Sequence, residues 1–85
     1  MSPRALRDLD RFSRREQDRV EAALEALAAD PSARNLDIAP IVGHPPWQRL
    51  RIGSLRVLLR SEAGGYIIDR VVNRRDLGRA IVRLS

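Results

Sequence analysis

The apolar residues of this 85-residue chain recur every three or four positions up to about residue 29, and every second position from residue 47 onward. A change of period from about 3.6 to about 2 within one short chain means helices followed by strands. Amphipathic helices that precede a sheet must cover one of its faces, so the expected class is α+β. The pattern predicts an N-terminal antiparallel helical hairpin packed on a small antiparallel β-meander, with a short C-terminal helix. At this length the whole chain, residues 1–85, reads as one domain with a small core.

The local signals give the boundaries. Ser2-Pro3 is a helix start, with Ser as the cap and Pro at the first helical position, and Leu6, Leu9 and Phe12 follow at helical spacing. Ser13-Arg14-Arg15-Glu16 is a capping box that opens a second helix over residues 14–29, ended by Asp30-Pro31. Val20, Ala23, Leu24, Leu27 and Ala28 form its inner stripe. Residues 31–46 hold Pro40, Pro45, Pro46 and Gly43 and read as an irregular connection. Gly53-Ser54 then joins two alternating strands. In the first, Trp47, Arg49 and Arg51 share one face; in the second, Leu55, Val57 and Leu59 point inward, and Arg56, Leu58 and Arg60 outward. After Ala63-Gly64-Gly65, residues 66–72 are apolar on both faces and read as a central strand. The segment LGRAIVRL near the end suggests the terminal helix, weakest at Gly78.

Charge divides the chain as sharply as period does. Residues 1–46 carry seven Arg against eight acids, whereas residues 47–85 carry nine Arg against Glu62, Asp69 and Asp76. The strand half therefore favours phosphate backbones or acidic protein surfaces. All sixteen basic residues are Arg and no Cys is present, which excludes a disulfide framework, a thiolate metal site and a cysteine nucleophile. No metal-ligand cluster, Gly-rich phosphate loop or Ser-His-Asp set occurs, so no metal or cofactor is expected. With no long apolar run and no apolar leader in the first residues, a soluble, cytoplasmic protein without a membrane partner is expected.

The stretches WQRLRIGSLRVLLR (47–60) and YIIDRVVNRRDL (66–77) resemble the RelE/ParE family of toxins from type II toxin–antitoxin systems, with R-L-R-I-G-x-x-R-V-L the most specific part. The resemblance spans roughly residues 3–79, and the strand with which the family usually begins is absent from it. It implies a toxin that binds the ribosome and cleaves mRNA, thereby inhibiting translation. Alternatively, it implies a DNA gyrase inhibitor without nuclease chemistry, or an inactive member that only binds its antitoxin. In every version the implied partner is a small acidic antitoxin. An absent first strand would leave an open sheet edge, either a liability for aggregation or a seat for a partner strand.

Carried over by position, Arg49, Arg51 and Arg56 match the strand residues that hold RNA in the cleaving branch. Arg74 or Arg75 matches the residue that stabilises the reacting phosphate. The candidate catalytic residues are thus Arg56, Arg74 and Arg75, and Arg49, Arg51 and Arg60 are candidate phosphate-binding residues. Asn73 and Gly78 stand where the cleaving branch often has a His and a Tyr as acid or base. Arginine suits the phosphate role, because its fork pairs two oxygens and stays charged, but it is a poor general base. Arg56 leads, since a surface arginine in mid-strand has little structural reason to be there. Residues with plainer roles are His44 as a solvated loop residue, Tyr66 as packing, Trp47 as closure of the core edge, and Asp69 as a partner of Arg56 or Arg70.

Overall fold

The structure, a computed structural model, describes residues 1–84. Helix α1 (Pro3–Asp10) begins where the Ser2 hydroxyl accepts from the Ala5 N–H. Helix α2 (Arg14–Ala29) opens on the reciprocal box in which Ser13 accepts from Glu16 N–H and Glu16 accepts from Ser13 N–H. Between them, Gln17 Nε2 donates to the carbonyls of Leu9 and Phe12 and so ties the first turn of α2 to the end of α1. Strands β1 (Asp37–Pro40), β2 (Gln48–Ile52), β3 (Leu55–Glu62) and β4 (Gly65–Asn73) form one antiparallel sheet in chain order. A 3₁₀ turn (Arg74–Asp76) leads into the short helix α3 (Leu77–Val82).

The α+β class and the helical elements are as the sequence suggests; three features differ. Asp37–Pro40 is a strand, not part of an irregular connection, with Ile38 opposite Leu50 and Ala39 opposite Arg49. Proline is tolerated because β1 lies at the sheet edge and Pro40 ends it. Secondly, β4 is the other edge rather than a central strand. Its apolar residues serve two cores: Ile68 and Val71 pack under α1 and α2, and Val72 packs under α3. Thirdly, Leu58 points away from α1 and α2 as alternation requires, yet it is fully buried, because α3, Trp47 and Ile41 cover that face.

The edge of β4 is not left open. Ser2 N–H donates to the Ile68 carbonyl, the Ser2 hydroxyl donates to the Asp69 carbonyl, and Asp8 Oδ2 accepts from Val71 N–H. Helix α1 thereby covers backbone groups that an edge strand would otherwise present for pairing. Asp8 also takes Arg70 in a two-pronged ion pair at 2.7 and 3.1 Å, so Arg70 is paired from α1 and not across the sheet by Asp69.

The β3–β4 turn contains, among the described residues, the one non-glycine residue with a left-handed backbone. Ala63 and Gly64 have φ of +39° and +83°, a two-residue turn that favours Asn-Gly. A left-handed alanine costs about 1 kcal/mol. Ala63→Asn should therefore raise the melting temperature by about 4 °C, read by thermal denaturation; an unchanged or lower value would show that the turn relaxes at no cost.

Candidate phosphate-binding site

The tight β2–β3 turn places the candidate arginines. Gly53, with φ of +57°, takes the first turn position as a glycine-led two-residue hairpin requires. The register sets Arg51 opposite Arg56 and Arg49 opposite Leu58. Directly opposite positions bring side chains close, so like charges there oppose each other. Arg74 joins them because its N–H donates to the Ser54 carbonyl, which ties the end of β4 to the turn. Arg19 of α2 reaches the same turn from the helix-covered face, where a Cβ on Gly53 would lie 2.8 Å from Arg19 Nη2. Glycine at position 53 is thus required by its backbone angle, while the guanidinium of Arg19 could swing aside for a Cβ.

Arg56 is the centre of the cluster and differs from its expected character. It is not a surface residue: only 8% is exposed, and Nη1 donates to the carbonyls of Gly53 and Leu55 at 2.8 and 2.9 Å. It therefore has a structural role, satisfying acceptors at the turn. Burial, followed by the charges of Arg51, Arg49 and Arg74, pulls its pKa below the usual arginine value, while Asp37 acts weakly the other way. Arg56 remains charged at neutral pH. Among the described residues no carboxylate forms an ion pair with it. Asp37 instead lies 3.3 Å from Arg49 and 4.0 Å from Arg51, with about half of its side chain exposed. An anion entering here would relieve repulsion already present in the folded chain, the condition under which a charged ligand gains most.

The remaining candidates lie elsewhere. Arg75 follows Arg74 on the 3₁₀ turn but faces a cleft beside α3 with Arg79 and Arg83. Arg60 is four residues along β3 from Arg56, about 13 Å at strand rise. There it pairs with Glu62 at 3.1 Å and lies over the Trp47 ring at 5.6 Å. Trp47 is buried beneath α3, Tyr66 packs against the main core, and His44 is half-buried in the turn before β2, its carbonyl accepting from Trp47 N–H. The Asn73 carboxamide accepts from Arg75 N–H and caps the 3₁₀ turn. Sequence reasoning missed Asp37; the only signal for it was its place beside Ile38 in a segment rich in proline.

Among the described residues, no group of His, Cys, Asp or Glu is arranged to hold a metal ion, and no helix is long and apolar enough to cross a membrane. No family model matches the sequence, and comparison with curated proteins finds no match. Among solved structures, the fold is similar to a chain of the RelB–RelE antitoxin–toxin complex from Methanococcus jannaschii. The TM-score is 0.78 at 21% identity, over 93% of this chain and 94% of that one. The likeness is one of fold.

Proposed function

We propose that this chain is the toxin of a type II toxin–antitoxin pair, acting as a ribosome-dependent mRNA endonuclease. The observation that carries the proposal is the Arg49–Arg51–Arg56–Arg74 cluster, offset only by Asp37, on a fold shared with a chain of an antitoxin–toxin complex. The basic balance, +5 over the chain, favours the toxin role over that of the acidic partner. In the proposed reaction an RNA 2′-hydroxyl attacks the adjacent phosphate and loses its proton to water. The P–O5′ bond breaks, and the 5′-oxygen leaves as a hydroxyl protonated by water, so that a 2′,3′-cyclic phosphate remains. The guanidiniums align that phosphate and stabilise the charge that grows on it. Acid and base are not evident within the cluster, so positioning and charge supply the acceleration. The partners are a small acidic antitoxin that neutralises the same arginines, and the ribosome with its mRNA.

A second reading, a protein-binding inhibitor such as a gyrase poison, is favoured by one observation. Asn73, where the cleaving branch often has a histidine, is committed to capping the 3₁₀ turn. Primer extension on a reporter mRNA in a reconstituted translation reaction separates the two. The wild-type protein should produce ribosome-dependent cuts, and Arg56→Ala, shown folded by circular dichroism, should reduce them about a hundredfold. Intact mRNA with the folded wild-type chain would overturn the nuclease reading in favour of the inhibitor. Equal cutting by Arg56→Ala would overturn the site.

A further inference from the structure

A second basic concavity lies on the far side of the 3₁₀ turn. It occupies about 460 Å³ between the end of α1, the last residues of β4 and α3, within the range of ligand-sized clefts. Arg75, Arg79 and Arg83 follow one another at intervals of four, so they form one stripe on the turn and helix and face the cleft together. Arg11 meets them from the end of α1. Phe12, Val72 and Ala80 supply apolar surface to the lining.

The charge balance of the cleft is uneven. Asp8 is consumed by Arg70 and the Val71 N–H. Asp76 stands 3.9 Å from Arg79 in a pair that is largely solvated and therefore weak. Among the described residues, none forms an ion pair with Arg11, Arg75 or Arg83. A stripe of cations beside an aromatic and aliphatic surface suits a ligand with one concentrated negative group and one flat apolar group. A nucleotide has that form: phosphate for the guanidinium forks, base for the ring and aliphatic surface. An acidic peptide fits less well, since it spreads its charge along its length and brings no flat ring to the Phe12 surface.

We infer that the cleft between α1, β4 and α3 is a nucleotide-binding site, with Arg75, Arg79 and Arg83 on the phosphate and Phe12 beside the base. The inference rests on the RNA reading above and extends it. Arg74 and Arg75, adjacent in sequence, divide between the two arginine groups, so a strand held at the β2–β3 turn continues across the 3₁₀ turn into the cleft. The nucleotide comes either from such a strand or from the free pool.

Two probes distinguish these sources: adenosine 5′-monophosphate, followed by amide chemical shifts, and a labelled eight-nucleotide single-stranded RNA, followed by anisotropy against salt. Shifts centred on Phe12, Val72, Arg79 and Arg83, lost in Arg79→Ala/Arg83→Ala, are expected with the mononucleotide if the site takes free nucleotides. If the strand is the source, the octamer alone moves those amides. The double variant then makes the salt slope shallower by about 1.4, and Phe12→Leu weakens binding about fivefold without changing the slope. The inference is overturned if neither probe moves those amides, or if poly-glutamate does so and both nucleotide probes do not. Octamer binding weakened by Arg51→Ala/Arg74→Ala but untouched by Arg79→Ala/Arg83→Ala would sink the cleft while leaving the turn cluster standing. The converse result would sink the cluster instead.

Discussion

Asp8→Ala is expected to lower the free energy of unfolding by about 3–5 kcal/mol, because it leaves a largely buried cation without its partner. The carboxylate accepts three hydrogen bonds, two from Arg70 and one from Val71 N–H, and the two side chains retain only 20% and 10% exposure. The neighbouring carboxylate and its hydrogen bonds hold the Arg70 pKa above its usual value against the opposing effect of burial. A domain of this size has a total stability near the low end of about 5–15 kcal/mol, so the variant should be substantially unfolded at 37 °C. Urea unfolding gives the magnitude. Arg70→Ala should cost less than Asp8→Ala, since it spares the bond to Val71. Amide exchange supplies a local readout, because the Val71 N–H should lose protection in Asp8→Ala even where the rest of the sheet stays closed. A loss under about 1 kcal/mol would mean that the pair does no more than offset its own desolvation.

That ion pair also marks where the sequence ceased to be informative. The caps at Ser2 and Ser13, the turn at Gly53 and the change of period depend on residues a few positions apart, and all are present in the structure. Asp8 and Arg70 are sixty-two residues apart, and nothing in either local pattern joins them. The same holds for β1: four residues ending in proline carry no usable alternation, and only pairing with β2 makes them a strand. The central character assigned to β4 came from a sound observation, apolar residues on both faces. Two-sided burial shows that both faces are covered, however, and not that both edges are paired. Here α1 and α3 cover the faces, and α1 also takes backbone groups on the outer edge.

The candidate site was legible in part for the same reason. Alternation placed Arg49, Arg51 and Arg56 on one face, and the hairpin turn fixed Arg51 opposite Arg56. Burial of Arg56 was not visible, because it depends on how the turn carbonyls and the facing elements close around it. The divergence of Arg74 and Arg75 depends on a 3₁₀ turn that three polar residues do not announce. Arg60 carried a readable warning: Glu62 lies two positions on, hence on the same side of the strand, and the two are paired.

Salt dependence should expose the turn cluster most directly. The four guanidiniums of the turn cluster, each replacing a counterion, contribute about −3 to the single-stranded RNA slope in log affinity against log salt, or about fiftyfold between 50 and 200 mM. Arg51→Ala/Arg74→Ala should make the slope shallower by about 1.4, a change of about sevenfold over the same range. Arg51 is half exposed and ion-paired only loosely, so its removal should scarcely touch stability. Arg56→Ala, by contrast, removes two hydrogen bonds from a charged donor to turn carbonyls and should cost about 1–3 kcal/mol of stability as well as affinity. Asp37→Asn supplies the change of opposite sign. Asp37 competes with phosphate for Arg49 and Arg51, so its neutralisation should tighten RNA binding. Weaker binding by Asp37→Asn would mean that the carboxylate positions the arginines and does not compete for them. A wild-type slope near zero would remove the polyanion from the account altogether, since no arrangement of arginines can hold a phosphate backbone without releasing its counterions.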